Sequence, residues 1–121
     1  MPRAILDEAS LHPAIRTRVA AWNRAIVDEV QAAVAANPIV VVGMRQNPFP
    51  AKARKALEAA GQPFKYLEYG SYFGMWRPRS ALKMWTGWPT FPMVFVKGVL
   101  VGGSSELQAL IDSGELKAML G

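Results

Sequence analysis

Side chains that could carry out chemistry are scarce in this chain of 121 residues. It contains no cysteine and a single histidine, His12. Thiol exchange, disulfide bonds and thiolate metal sites are therefore excluded, because each of them needs a cysteine sulfur. His12 directly precedes Pro13, and this pairing predicts the start of a helix rather than a ligand or a nucleophile relay. The sequence therefore predicts no metal site and no catalytic residue.

Positive charge is concentrated in the middle of the chain. The net charge is +5, and residues 45–83 alone carry eight basic and two acidic side chains. This asymmetry favours an anionic partner near that segment. The alternative is that the basic residues form solvated helix faces, which is the better interpretation for Lys52, Arg54 and Lys55.

Length and composition restrict the class of protein. A chain of 121 residues that is 51% apolar suits one compact domain with a modest core. No apolar run reaches the roughly 18 residues needed to span a bilayer. The N-terminus becomes acidic at Asp7 and Glu8, too early for the apolar region of a signal peptide. We therefore expect a cytoplasmic protein without a membrane partner.

Local patterns predict alternating helices and strands. Apolar residues spaced by three and four predict one amphipathic helix or two in tandem before Asn37 and Pro38, namely Ile15, Val19, Trp22, Ile26, Val30 and Val34. Residues 39–43 are typical of a strand buried on both faces, residues 64–69 of a second strand, and residues 93–101 of a hairpin.

Capping signals delimit the remaining helices. Asn47 with Pro48 predicts a helix start, and Gly61 predicts its end. Another helix is expected to end near Trp85, and Ser105 with Gln108 predicts the capping box of a final helix. The resulting order predicts an α/β protein with a four-stranded mixed sheet and helices on both faces. Pattern alone leaves several α/β folds open.

One motif selects among these folds. The segment Trp88-Pro89-Thr90-Phe91-Pro92, followed by a strand, a turn, a strand and Gly102-Gly103, resembles the glutaredoxin family and is most similar to monothiol glutaredoxins. The resemblance extends over about residues 25–121 and implies a thioredoxin-like fold for them. Residues 1–24 are then an N-terminal helical extension, which we expect to pack as a cap.

The resemblance places Asn47 at the position of the family's active-site cysteine. Pro50 stands where the family has its second cysteine or a serine. Asparagine has no redox chemistry, and Pro48 and Pro50 remove two amides that would help to stabilise a thiolate. We therefore expect neither disulfide reduction nor a [2Fe–2S] cluster held by the chain's own ligands. Asn47 either caps the helix only or also takes part in recognition.

The resemblance also implies a groove for glutathione or an acidic peptide. The expected ligand-binding residues are Arg79, Lys83, Thr90, Phe91, Pro92, Gly102, Gly103, Ser104 and Ser105. A cis Phe91–Pro92 bond would let the Phe91 backbone pair with the ligand. Arg79 and Lys83 would hold one carboxylate, and the amides of Gly103 and Ser104 the other. An equally good interpretation of residues 102–106 is a capped helix after a tight turn.

Three functional hypotheses follow. The first is a cysteine-free relative of glutaredoxins that binds glutathione or peptide in thiol and redox homeostasis without acting as an enzyme. The second is a glutathione-dependent thiol-disulfide oxidoreductase represented by a cysteine-replaced form. The third is a protein-interaction module whose groove is vestigial.

Aromatic residues before the proline motif suggest one further partner. They lie among Arg77, Arg79 and Lys83, an arrangement that can stack single-stranded bases, and they are Tyr69, Tyr72, Phe73, Trp76, Trp85 and Trp88. No RNA-binding motif accompanies them, so we expect a core role instead and no nucleic-acid partner.

Overall fold

A computed structural model describes residues 2–121. After a short 3-10 turn at Glu8–Ser10, the elements are α1 (Pro13–Ala21), α2 (Arg24–Ala36), β1 (Ile39–Gly43), α3 (Pro48–Ala59), β2 (Lys65–Glu68), α4 (Trp76–Thr86), β3 (Met93–Val96), β4 (Val99–Gly102), α5 (Ser104–Ser113) and α6 (Glu115–Leu120). Within residues 2–121, none of these helices combines the length and apolarity needed to cross a bilayer.

The four strands form one mixed sheet in the order β2-β1-β3-β4. Strand β1 pairs with β2 in parallel and with β3 antiparallel, and β3 pairs with β4 antiparallel. The predicted sheet of four strands is therefore confirmed.

The two faces of the sheet pack against different helices. Val40 and Val42 of β1 belong to a core cluster with residues of α2 and α4. Ile39 and Val41 belong to a second cluster with residues of α3, α5 and α6. Strand β1 is consequently buried along its whole length, as its uninterrupted β-branched sequence predicts.

The tandem helices before β1 differ in their packing. Helix α2 buries Ile26, Val27 and Val30, whereas α1 has no buried residue. The expectation that the extension packs as a cap is therefore wrong for α1, whose Ile15 and Val19 are exposed. The regular spacing of these two residues indicated a helix correctly, but spacing does not reveal whether a partner surface exists.

His12 has the structural role that its position predicts. Its Nδ1 accepts a hydrogen bond from the Ala14 amide at 3.0 Å and so caps the start of α1. Further towards the N-terminus, Arg3 Nη1 donates to the Thr86 carbonyl at the end of α4, at 2.6 Å.

Candidate functional site

Three loops meet at one edge of the sheet. Gly43 ends β1, Met93 begins β3 opposite Val42, and Gly102 ends β4 opposite Val94. The loop after β1, the loop before β3 and the loop after β4 therefore converge. This edge carries the start of α3, the proline motif and the start of α5.

Asn47 connects two of these loops. Its Oδ1 accepts from the Phe49 amide at 3.0 Å, which confirms the predicted helix cap, and its Nδ2 donates to the Phe91 carbonyl at 3.1 Å. Both ends of the side-chain amide are thus used in contacts within the chain. The second of these bonds could not be read from the sequence, because 44 positions separate its partners.

Pro50 is fully buried beneath the same helix start. A Cβ on Gly43 would lie 2.7 Å from the Pro50 Cβ and 2.9 Å from the Tyr66 hydroxyl. Glycine at position 43 therefore provides the space that the proline ring occupies, since real Cβ atoms do not approach so closely.

The Phe91–Pro92 peptide bond is cis, which confirms that prediction. Phe91 is buried, and its carbonyl already accepts from Asn47. A carbonyl oxygen has two lone pairs, so a ligand amide that pairs with Phe91 would have to share the oxygen with Asn47.

A cleft of about 310 Å³ opens between the start of α3, the proline motif and the start of α5. Six predicted ligand-binding residues line it: Thr90, Phe91, Pro92, Gly103, Ser104 and Ser105. Three residues that were not predicted as site residues also line it: Phe49, Trp88 and Glu106. Gly102 is buried directly behind this wall and does not line it. The structure thus brings together most of the predicted site.

The indole of Trp88 contributes a donor to the cleft wall. Its Nε1 is buried and has no hydrogen-bond partner among residues 2–121. Buried polar atoms without partners are uncommon in folded proteins. Because protein atoms cover this nitrogen, a ligand in the cleft could supply the missing acceptor only if the Trp88 side chain or its neighbours moved.

The start of α5 is capped differently from the prediction. The Gly103 amide donates to Glu106 Oε1, and the Ser105 hydroxyl donates to Glu106 Oε2, both at 2.8 Å. The predicted capping box of Ser105 and Gln108 is therefore wrong, and Gln108 instead bonds Asp112. The Gly103 amide and then the Ser105 hydroxyl hold the pKa of the Glu106 carboxyl below its usual value.

This cap changes the expected contact with a ligand carboxylate. The Gly103 amide, which was predicted to bind such a group, is already occupied by Glu106. The amides of Ser104 and Ser105 belong to the first turn of α5, where the helix dipole favours negative charge. They are the better candidates for an incoming carboxylate.

Arg79 does not lie in the cleft. Its side chain is 6% exposed, and Nη1 donates to the Tyr69 carbonyl at 2.8 Å and to the Gly74 carbonyl at 2.5 Å. Burial lowers the pKa of its guanidinium. Arg79 is therefore not placed to bind a carboxylate in this cleft, because it is buried and its Nη1 holds the loop between β2 and α4. The family resemblance selected Arg79 from its place in the sequence, which does not show the direction in which the side chain points.

Two lysines lie beside aromatic rings of the cleft. Lys83 Nζ is 5.8 Å from the centroid of the Phe91 ring, and Lys52 Nζ is 5.0 Å from that of Phe49. Both distances are within the range of a cation–π contact, and both lysines are exposed. Lys83 is therefore placed near the predicted site, whereas the solvated interpretation of Lys52 omitted its contact with a cleft residue.

A protruding loop follows β2 at the same edge of the sheet. We name residues 71–76 the aromatic loop, because Tyr72, Phe73 and Trp76 are 62%, 91% and 61% exposed. The expectation that these three residues fill the core is wrong. By contrast Tyr69 is buried, and its hydroxyl donates to Glu29 of α2.

A larger depression of about 730 Å³ lies at the opposite edge of the sheet, beside Pro38 and Lys97. It is more than twice the volume of the cleft but contains none of the motif residues. Volume alone therefore does not identify the candidate site. The smaller cleft is preferred because six of the predicted ligand-binding residues line it.

At one edge of the mixed four-stranded sheet lie a cis-proline loop and a capped helix start. Together these features define a thioredoxin-like fold. Residues 39–101, more than half of the chain, match the family model described as Glutaredoxin. The chain belongs to the glutaredoxin family.

Particular relatives support this assignment. A "Glutaredoxin-like protein" of Dictyostelium discoideum is 47% identical over 95 residues, which cover 78% of this chain and 77% of the relative. A "Probable monothiol glutaredoxin GrlA" of Legionella pneumophila is 38% identical over 77 residues, covering 64% and 83%. The crystal structure of oxidized glutaredoxin 2 from Chlamydomonas reinhardtii superposes with a TM-score of 0.70 at 27% identity, covering 81% of this chain and 92% of that one. The predicted likeness to monothiol glutaredoxins is therefore confirmed.

Proposed function

We propose that this protein is a non-catalytic member of the glutaredoxin family that binds glutathione or an acidic peptide in thiol and redox homeostasis. The observation that carries the proposal is the double hydrogen bond of Asn47, to Phe49 and Phe91. The family resemblance places the reactive cysteine at position 47. In this chain the Asn47 side chain at that position links the start of α3 to the proline motif. The cleft is kept, and the nucleophile is absent.

Thiol chemistry is not available to this chain. Disulfide exchange begins with attack of a thiolate on sulfur, and the sequence contains no cysteine. An iron–sulfur cluster does not fit for the same reason, because its irons are held by cysteine thiolates. We therefore expect no glutathione-dependent disulfide reduction above background.

The cleft offers contacts for a small anionic ligand. Its volume of about 310 Å³ is at the lower end of the range for ligand pockets and suits a ligand of tripeptide size. One carboxylate would bind at the amides of Ser104 and Ser105, and a second would lie near Lys83 in place of Arg79. Binding should be weak, since the Phe91 carbonyl is shared and the Gly103 amide is occupied.

Titration by two-dimensional NMR with reduced and with oxidised glutathione tests this proposal. We expect shifts of the Thr90, Ser104 and Ser105 amides with a dissociation constant near the millimolar range. Lys83→Gln should weaken binding roughly two- to five-fold, as expected for an exposed charge pair. Lys117→Gln is the matched control, because Lys117 is exposed on α6 and does not line the cleft. No shift in the cleft at 10 mM ligand would contradict the proposal.

The second candidate is an interaction module with a vestigial groove. It is favoured by the two groove groups that the chain satisfies itself, the Phe91 carbonyl and the Gly103 amide. The same titration separates the candidates, because a vestigial groove gives no cleft shifts. A cysteine-replaced oxidoreductase is less well supported, since Pro50 is buried against Gly43 as a fitted pair.

We also propose the division of the chain into an extension, residues 1–24, and a glutaredoxin-like domain, residues 25–121. No residue of α1 is buried, whereas three residues of α2 are. This contrast supports the boundary. A chain that begins at residue 25 should therefore fold with nearly unchanged stability, as measured by urea denaturation.

A further inference from the structure

The aromatic loop presents apolar side chains that the fold itself does not use. Phe73 at its tip is 91% exposed, and Tyr72, Met75 and Trp76 beside it are exposed as well. Exposed apolar residues are ordinary when scattered, but a contiguous group on one loop marks an interaction site.

The loop is held in a defined shape. Arg79 donates to the Tyr69 carbonyl, just before the loop, and to the Gly74 carbonyl within it. Ser71 Oγ accepts from the Phe73 amide at 3.2 Å, and the Gly74 amide donates to the Ser71 carbonyl at 3.2 Å. The aromatic side chains are therefore presented on an ordered backbone, which reduces the entropy lost on binding.

The loop and the cleft share one edge of the sheet. Parallel strands β1 and β2 end at the same edge, where β1 leads to Asn47 and β2 leads to the aromatic loop. The connection is direct, because the Tyr69 amide donates to the Gly43 carbonyl at 2.9 Å and the Arg45 amide to the Gly70 carbonyl at 2.7 Å. A partner that covers the loop can continue toward the cleft.

The charge of this surface is positive. Arg77 is exposed with its guanidinium 5.5 Å from the Trp76 ring. Arg45 is exposed and its amide bonds Gly70, just before the loop, whereas the exposed Lys83 lies beside the Phe91 ring of the cleft. No aspartate or glutamate occurs between Glu68 and Glu106. Glu68 itself lies 3.9 Å from the Arg45 guanidinium.

We propose that the aromatic loop docks an acidic polypeptide, one extended segment of which enters the cleft. This inference rests on the proposed function of the cleft and identifies its partner as a polypeptide rather than free glutathione. Tyrosine, tryptophan and arginine are the residues that dominate protein interfaces, and they occur together here. Nucleic acid fits less well, because few cations lie at this edge, whereas contacts between cations and phosphates supply much of the affinity of such binding.

The test uses the full chain and three matched sets of labelled 12-residue peptides. One set is acidic with aromatic and aliphatic residues, the second replaces each acid by lysine, and the third is acidic with serine at every apolar position. Fluorescence anisotropy should show binding of the first set only, and weaker binding as salt rises. Phe73→Ser and Trp76→Ser should each reduce affinity about ten-fold, whereas Leu6→Ser, the control at another exposed apolar residue, should not.

The outcomes separate this inference from the function proposed for the cleft. Both loop variants should still bind glutathione in the cleft, with unchanged shifts of Thr90 and Ser104. Peptide binding that is absent, or equal in the loop variants and the parent, would overturn the docking proposal whatever glutathione does. Tighter binding of single-stranded RNA or of anionic phospholipid vesicles, lost in the same variants, would also overturn it.

Discussion

Replacement of Arg79 by methionine should destabilise the protein strongly. The side chain is buried, and its guanidinium donates to the Tyr69 and Gly74 carbonyls. Methionine keeps the apolar part of the side chain and removes only the charged donor group. The variant therefore isolates the two hydrogen bonds that hold the aromatic loop.

The magnitude follows from the surroundings of the two acceptors. A hydrogen bond to a charged group contributes about 1.5–3 kcal/mol. The Tyr69 bond is buried and should count in full, whereas the Gly74 bond is partly buried and water can replace some of it. Burial of the guanidinium, which lowers its pKa, offsets part of the gain. We therefore expect Arg79→Met to reduce the free energy of unfolding by about 2–4 kcal/mol.

Urea denaturation followed by tryptophan fluorescence and circular dichroism measures this change. Arg77→Met is the matched control, because Arg77 is exposed and only stacks over Trp76. The control should change stability by less than about 0.5 kcal/mol. A loss below about 1 kcal/mol for Arg79→Met, or equal losses for both variants, would refute the structural role of Arg79.

Three further predictions concern single side chains. Asn47→Ala should lower stability by about 1–3 kcal/mol in urea, because it removes the α3 cap and the bond to Phe91; Asn47→Ser, which can still cap, should cost less. Glu106→Ala should cost about 0.5–1 kcal/mol at pH 7. Because folding lowers the pKa of Glu106, this difference should begin to shrink as the pH falls to the ordinary glutamate pKa of about 4.3 and should vanish only below the lowered pKa of the folded state; a pH-independent difference would contradict the cap. Tyr69→Phe should cost about 1–2 kcal/mol at pH 7. Burial and then the bond to Glu29 raise the Tyr69 pKa, so the difference should persist up to about pH 10 and shrink above it in alkaline denaturation curves.

The parts of the fold that local sequence determines could be predicted. An uninterrupted β-branched run specified the central strand β1, and Asn47 followed by Pro48 specified the start of α3. The cis bond before Pro92 followed from a motif rather than from any local preference. These features depend on residues that are neighbours in the chain.

The remaining features depend on partners far apart in sequence or on the presence of a surface to pack against. The sequence does not show that the Tyr69 and Gly74 carbonyls lie beside the Arg79 guanidinium, and for that reason Arg79 was assigned to a ligand. Tyr72, Phe73 and Trp76 have the composition of a core, yet the loop that carries them points into solvent. The predicted cap of α5 differs from the observed one because Glu106 accepts from the Gly103 amide. Local spacing favours this bond no more than the pairing of Ser105 with Gln108.

The close fit of Gly43 and Pro50 determines what it would cost to introduce cysteines at the start of α3. A cysteine at position 47 would stand at the exposed start of α3, whereas one at position 50 would replace a fully buried ring and face the backbone of Gly43. Positions 47 and 50 are the N-cap and the third residue of α3, and residues with this spacing are close enough to form a disulfide. A cysteine at position 47 alone would leave the packing of Pro50 against Gly43 intact, whereas a second cysteine at position 50 would also remove the ring that fills this buried space.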